Sequence, residues 1–154
     1  MKNDLKVFYE DVLQDDEATR LAIGKAGIMG LYAFLTDRGF TIMSKMSLIE
    51  MYAHCPLSVD GPINEKELEY LKFVLNHSFT LEEANKRAEE LYAEVDAKKN
   101  MLALVGKLAE INQEEIRLAL LKSVFVGLLF DSEDDINEVE EQFFEELFHC
   151  RNSG

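Results

Sequence analysis

Asp60-Gly61-Pro62-Ile63-Asn64-Glu65-Lys66-Glu67 sets an acid, a glycine turn, an apolar residue and a second acid in the order found in the latter half of a calcium-binding helix–loop–helix. The chemistry of such a segment is oxygen ligation of a hard divalent cation. The first half of that loop is missing, because Pro56 and Ser58 stand where two acids belong. The segment has an echo, Glu133-Asp134-Asp135-Ile136-Asn137-Glu138-Val139-Glu140, in which Ile63, Asn64, Glu65 and Glu67 recur as Ile136, Asn137, Glu138 and Glu140. In the echo Leu129 replaces the first ligand and Asp134 the glycine. Asp60, Glu67, Asp131, Glu133 and Glu140 are therefore the candidate metal ligands, with calcium, magnesium, manganese or zinc as the candidate ion. A second reading needs no metal. Asn64-x-x-Glu67 and Asn137-x-x-Glu140 each fit a capping box, and the aspartates suit turns and helix N-termini.

Histidine and cysteine offer a softer site. His54-Cys55 and His149-Cys150 each close a helix, and His77 follows another. Adjacent helical residues point about 100° apart, so such a pair rarely gives both groups to one ion. Helix-terminal histidine also complements the helix dipole. No serine elbow, phosphate-binding Walker loop or dinucleotide fingerprint occurs, and no third residue orients a Cys–His pair. The expectation is a protein that is not an enzyme.

The elements around these residues read as helices. Leu5, Phe8, Tyr9, Val12 and Leu13 recur at helical spacing. A longer helix follows from about Glu17 to Thr36, where Gly24, Gly27, Gly30 and Ala33 form a small-residue ridge that predicts close approach of another helix. Gly39 fits the position just past its end. A third helix covers about 42–54, with Met43, Met46, Ile49, Met51 and Ala53 mostly inward, and Pro56 stops it. Asn64 opens a fourth helix that ends near residues 76–78. Thr80-x-x-Glu83 opens a fifth, through about Ala97. A weak break at Lys98-Lys99-Asn100 precedes helix to Ile111. Asn112-x-x-Glu115 caps the most apolar helix, Ile116–Phe130, and Asn137 caps the last. No window alternates with period two. The expected fold is all-α, a compact bundle of seven or eight helices in one domain spanning residues 1–154, with a helix–acidic turn–helix pseudo-repeat at about 43–76 and 116–150.

An apolar helix, D-G-x-I-x-x-x-E and a second apolar helix, with a degenerate later copy, resembles the tellurite-resistance TerB-like family. The motif falls on Asp60, Gly61, Ile63 and Glu67, and less completely on Glu133, Ile136 and Glu140. The resemblance implies a small cytoplasmic all-α fold with internal two-fold repetition and a metal-binding or sensing role in stress response, with acidic residues as ligands.

The chain carries 30 Asp+Glu against 16 Lys+Arg, a net charge of −14. That surface repels phosphate backbones and disfavours nucleic acid. It leaves cations, basic protein surfaces or solubility alone. The class that contrasts with a cation-binding sensor or scaffold is an acidic interaction protein, an inhibitor or nucleic-acid mimic docking on a basic partner. Phe143, Phe144, Leu147 and Phe148 are wide for one face of a terminal helix; core packing is the default and a homodimer surface the alternative. Two cysteines, no apolar leader at Met1–Leu5 and no apolar run longer than about Ala26–Leu35 point to a cytoplasmic protein without membrane insertion.

Overall fold

In a computed structural model the described residues are Glu10, 16–58, 61–94, 97–132 and 137–149. They form seven α-helices and one short 3-10 turn, with no strand among them. The helices are α1 (Glu17–Asp37), α2 (Ile42–His54), α3 (Glu65–Leu75), α4 (Leu81–Glu94), α5 (Ala97–Glu110), α6 (Glu114–Ser132) and α7 (Glu138–Phe148), and the 3-10 turn is Cys55–Ser58. Apart from Glu10, the helix expected around Leu5–Leu13 lies outside the described residues, as do Asp60 and Glu133.

The helix α6 is the axis of the bundle. Residues Leu120–Phe130 are buried with little interruption, as a helix apolar on all sides must be. The most extensive packing is between α6 and α1, and the 3-10 turn, α3, α5 and α7 complete the ring around α6. The α1–α6 crossing is close because of two glycines. A Cβ at Gly27 would overlap Ser123 and the Ala119 carbonyl, and one at Gly24 would overlap the Tyr70 ring. Ser123 Oγ donates to the Gly24 carbonyl at 2.8 Å, and Tyr70 Oη donates to the Ser123 carbonyl at 3.3 Å. The ridge stops there. Gly30 has no neighbour within 4 Å of an added Cβ, and Ala33 is exposed. Steps of three lag a full turn by about 60°, so a three-spaced row rotates off its interface within two steps. A glycine that the sequence reading passed over, Gly127, lets Pro56 pack against α6.

The helix ends follow local chemistry. Gly39 adopts φ +79°, and Phe40 N–H reaches the Leu35 carbonyl past it, closing α1. Asn76 closes α3 in the left-handed region at φ 52°. Asn112 departs from its expected role. Its φ is +61°, and it terminates α5 rather than capping α6, which already begins at Glu114. With so short a link the left-handed position is the stronger demand, and asparagine meets it at low strain. Lys98-Lys99-Asn100 are helical, within α5, so the break expected there is absent. Arg117, almost wholly buried, bonds Glu114 and the Phe148 carbonyl and thereby ties the end of α7 to α6.

Candidate functional site

The two acidic segments both build capping boxes. Asn64 Oδ1 accepts from Glu67 N–H at 2.9 Å, and Glu67 Oε1 accepts from Asn64 N–H at 2.7 Å. Asn137 and Glu140 repeat this at 2.9 and 3.2 Å. Both glutamates are buried, at 1% and 0% exposure. The apolar residues that follow keep register, with Tyr70, Leu71 and Val74 buried in α3 as Phe143, Phe144 and Leu147 are in α7. A third, exposed box joins Thr80 and Glu83, and its N–H bonds hold the Glu83 carboxyl below its usual value.

Of the five candidate ligands, Glu67 and Glu140 thus sit inside helix caps, and Asp131 falls in the last turn of α6. No group of three or more His, Cys, Asp or Glu side chains is placed to hold a metal among the described residues. The turn before α3 is fixed from an unexpected direction. Asn85 on α4 accepts from Ile63 N–H at 3.0 Å and donates to the Ile63 carbonyl at 3.3 Å. Beside this clamp lies a cleft of about 510 Å³ lined by Ser58, Gly61, Pro62 and Glu89. Among the described residues His54, Cys55 and His77 do not assemble into a ligand set either; Cys55 is buried.

The aromatic load of α7 is internal. Phe143, Phe144, Leu147 and Phe148 are all buried, and Phe144 meets Phe125 edge-on at 5.1 Å between centroids. Exposed apolar side chains cluster elsewhere, on α1, the first half of α2 and the end of α3. Met29 is 60% exposed and Met43 82%, and Tyr32, Ile42, Met46 and Phe73 are also exposed. Met29, Tyr32, Met46 and Lys25 line a groove of about 310 Å³ that runs between α1, α2 and the α3 C-terminus. Met43 and Ile42 stand one turn before Met46 on the same side of α2. Of the residues expected inward on α2, only Ile49, Met51 and Ala53 are buried. The segment is apolar on several sides, so its sequence carries no polar face that would reveal the phase.

Two lysines border this face, Lys25 half-buried and Lys45 buried. Lys25 Nζ lies 4.6 Å from the Phe73 centroid, and Lys45 Nζ lies 4.5 Å from that of Tyr32 while bonding Thr36 Oγ1 at 3.0 Å. Charge is unevenly divided along the chain. Residues 16–80 hold six Lys+Arg against eight Asp+Glu, while residues 81–154 hold eight against eighteen. The apolar face therefore belongs to the nearly neutral half. The sequence signal that marks it is methionine density on a helix without polar alternation, Ile42-Met43 and Met46.

A scan against protein-family models, a search of curated proteins and a search of solved structures each gave no match. No described helix is long and apolar enough to cross a membrane.

Proposed function

We propose that this chain is a non-enzymatic interaction module that receives an amphipathic helix on the face formed by Met29, Tyr32, Ile42, Met43, Met46 and Phe73. The observation that carries the reading is the exposure of these six apolar side chains on α1, α2 and α3, three of them, Met29, Tyr32 and Met46, around one groove, in a chain of net charge −14. Exposed apolar patches mark interaction sites, and flexible methionine adapts to varied apolar partners. The partner's flanks are acidic. Lys25, half-buried over the Phe73 ring, is where a partner carboxylate gains an ion pair and a partner lysine meets repulsion, while Lys45 lies buried beneath the Tyr32 ring.

The test uses two designed amphipathic helices with the same Leu/Phe stripe, one flanked by glutamate and one by lysine. Fluorescence anisotropy is expected to give micromolar affinity for the glutamate-flanked peptide and about tenfold weaker affinity for the other. Met29→Glu and Met43→Glu are expected to abolish binding without lowering Tm, since both side chains are exposed. Equal affinity for the two peptides, or binding indifferent to both substitutions, refutes the proposal.

A second reading, the TerB-like cation-binding sensor, is favoured by the matched caps at Asn64–Glu67 and Asn137–Glu140 and by the oxygen-bearing cleft of Ser58 and Glu89 beside the first turn. Under it Asp60 and Glu67, with Asp131, Glu133 and Glu140 in the echo, hold a divalent ion weakly. A thermal-shift titration with calcium, magnesium, manganese and zinc separates the readings. Ion-dependent stabilisation that Glu67→Gln removes supports cation binding. A shift equal in parent and variant, or none, leaves Glu67 as a helix cap.

A further inference from the structure

A cleft of about 610 Å³ opens between the start of α1, the length of α3 and the end of α6. Leu21, Phe73 and Phe130 give it an apolar lining, and Lys66 and Lys72 stand among its walls. Phe73 is 42% exposed. Lys66 Nζ lies 5.8 Å from the Phe130 centroid, and Lys25, one turn beyond Leu21 on α1, stands over the Phe73 ring. Lys72 is held by Glu69 at 3.3 Å. Neither Lys25 nor Lys66 forms an ion pair among the described residues, although the chain holds 30 Asp+Glu against 16 Lys+Arg. The cleft therefore offers an apolar lining and two uncompensated positive charges, a fit for an apolar segment edged with carboxylates.

Such a segment is joined to the cleft covalently. Glu17, the first residue of α1, lines it, so residues 1–15 depart from its edge. Asp16 separates them from α1: its backbone is extended, at φ −76° and ψ 172°, and its side chain accepts Thr19 N–H at 2.8 Å. A link of about two to five residues reverses one helix onto its neighbour, and Gln14 and Asp15 supply it. Before the link, Leu5, Phe8, Tyr9, Val12 and Leu13 form one apolar stripe, and Asp4, Asp11 and Asp15 fall along a single edge of it at about 100° per residue. Glu10, the one described residue of this segment, is helical and exposed, on the side away from the stripe. A helix this short is marginal in water unless its apolar face is packed. Leu5 to Leu13 spans about 12 Å as a helix, the same as Glu17 to Lys25.

We propose that residues 4–13 dock as a helix in this cleft of their own chain, antiparallel to α1. Their apolar stripe packs on Leu21, Phe73 and Phe130, and their aspartates lie beside Lys66 and Lys25. The seat ends at Lys25, short of Met29 and of α2, so the proposal goes beyond the helix-docking reading and stands without it; Phe73 and Lys25 border both surfaces.

The test is made on the full chain in solution by NMR. Nuclear Overhauser contacts are expected from the Leu5 and Val12 methyls to the Phe73 ring, with amide exchange across residues 6–13 slowed by roughly tenfold or more. Phe8→Asp, on the stripe, is expected to abolish both signals, and Val7→Asp, on the opposite side, to leave both in place. Lys66→Glu is expected to reduce the protection, and Asp11→Lys added to it to restore the protection. The core resonances of Phe125 and Phe144 show in each variant whether the bundle is intact. A mixture of isotope-labelled and unlabelled chains separates contacts within one chain from contacts between copies. Unprotected amides in the parent, protection without contact to Phe73, contacts found only between copies, equal effects of Phe8→Asp and Val7→Asp, or a Lys66→Glu variant as protected as the parent overturns the proposal.

Discussion

Glu67 and Glu140 lie in the interior, and each accepts at Oε1 the amide N–H of the asparagine that opens its helix. Asn64→Ala and Asn137→Ala are each expected to cost about 1 kcal/mol, a fall in Tm of roughly 2–4 °C for a chain of this length, read by thermal denaturation. Glu67→Gln keeps an oxygen for the N–H and is expected to fall less than Glu67→Ala. This part of the site was legible in the sequence, because a capping box is a local pattern of four residues. The Asn85 clamp on Ile63 was not, since no local rule joins positions on different elements. His54 supplies a pH dependence. Its folded pKa, about 4, lies below the unfolded value of 6.5, so between these limits the unfolded chain binds the proton more readily. The stability that the neutral ring contributes is complete above pH 6.5 and is lost as pH falls towards 4, by roughly 3 kcal/mol at most. Thermal melts from pH 7.5 to 4 are expected to fall more steeply for the parent than for His54→Phe. Parallel profiles would show that His54 does not titrate differently in the two states.

The helix α1 shows what close packing asks of an element. Gly24 and Gly27 lie against Tyr70, Ser123 and the α6 backbone, whereas Gly30 faces open space in the same helix. Glycine in a helix interior lies about 1 kcal/mol above alanine. Gly30→Ala is therefore expected to stabilise the chain by about 0.5–1 kcal/mol. Gly27→Ala is expected to destabilise it by 1–3 kcal/mol, about the range for overpacking, because the Ala119 carbonyl is backbone and cannot turn aside. Paired denaturant titrations read both signs, and a loss in both variants would contradict the open space at Gly30. Periodicity exposed the helices and their order. It misjudged the phase of the glycine row beyond Gly27 and the outward turn of Met43 and Met46, because a helix apolar on several sides has no sequence signal for which side is covered. It also gave Asn112 to the wrong helix end, since asparagine serves both an N-cap and a left-handed C-terminal position.

The bundle buries its apolar residues around α6 and carries its excess acid on and between α4, α5, α6 and α7. Those elements hold most of the charge behind the net −14, and their carboxylates outnumber the cations that could pair with them. Several ion pairs do form there. Lys98 meets Glu146 at 2.6 Å and Lys107 meets Glu110 at 3.4 Å, but exposed pairs of this kind contribute between about 0 and 1 kcal/mol each. The unpaired remainder repels itself in the compact state more than in the expanded one. Raising the salt from roughly 0.01 M to 0.1 M shortens the screening length from about 30 Å to about 10 Å, which removes repulsion between distant carboxylates and leaves the buried core untouched. Tm is therefore expected to rise with sodium chloride over this interval, contrary to the weakening expected of a fold held by exposed ion pairs. Glu89→Lys and Glu141→Lys together reduce the net charge to −10 and are expected to raise Tm at the lower salt while shrinking the further gain at the higher. Magnesium chloride matched for ionic strength serves as the second arm. A gain no larger than sodium's means screening alone, whereas a larger one that Glu67→Gln removes means that an acidic turn holds the ion. A Tm that falls with sodium chloride, or one that the double variant leaves unchanged at low salt, would show that self-repulsion does not limit this fold.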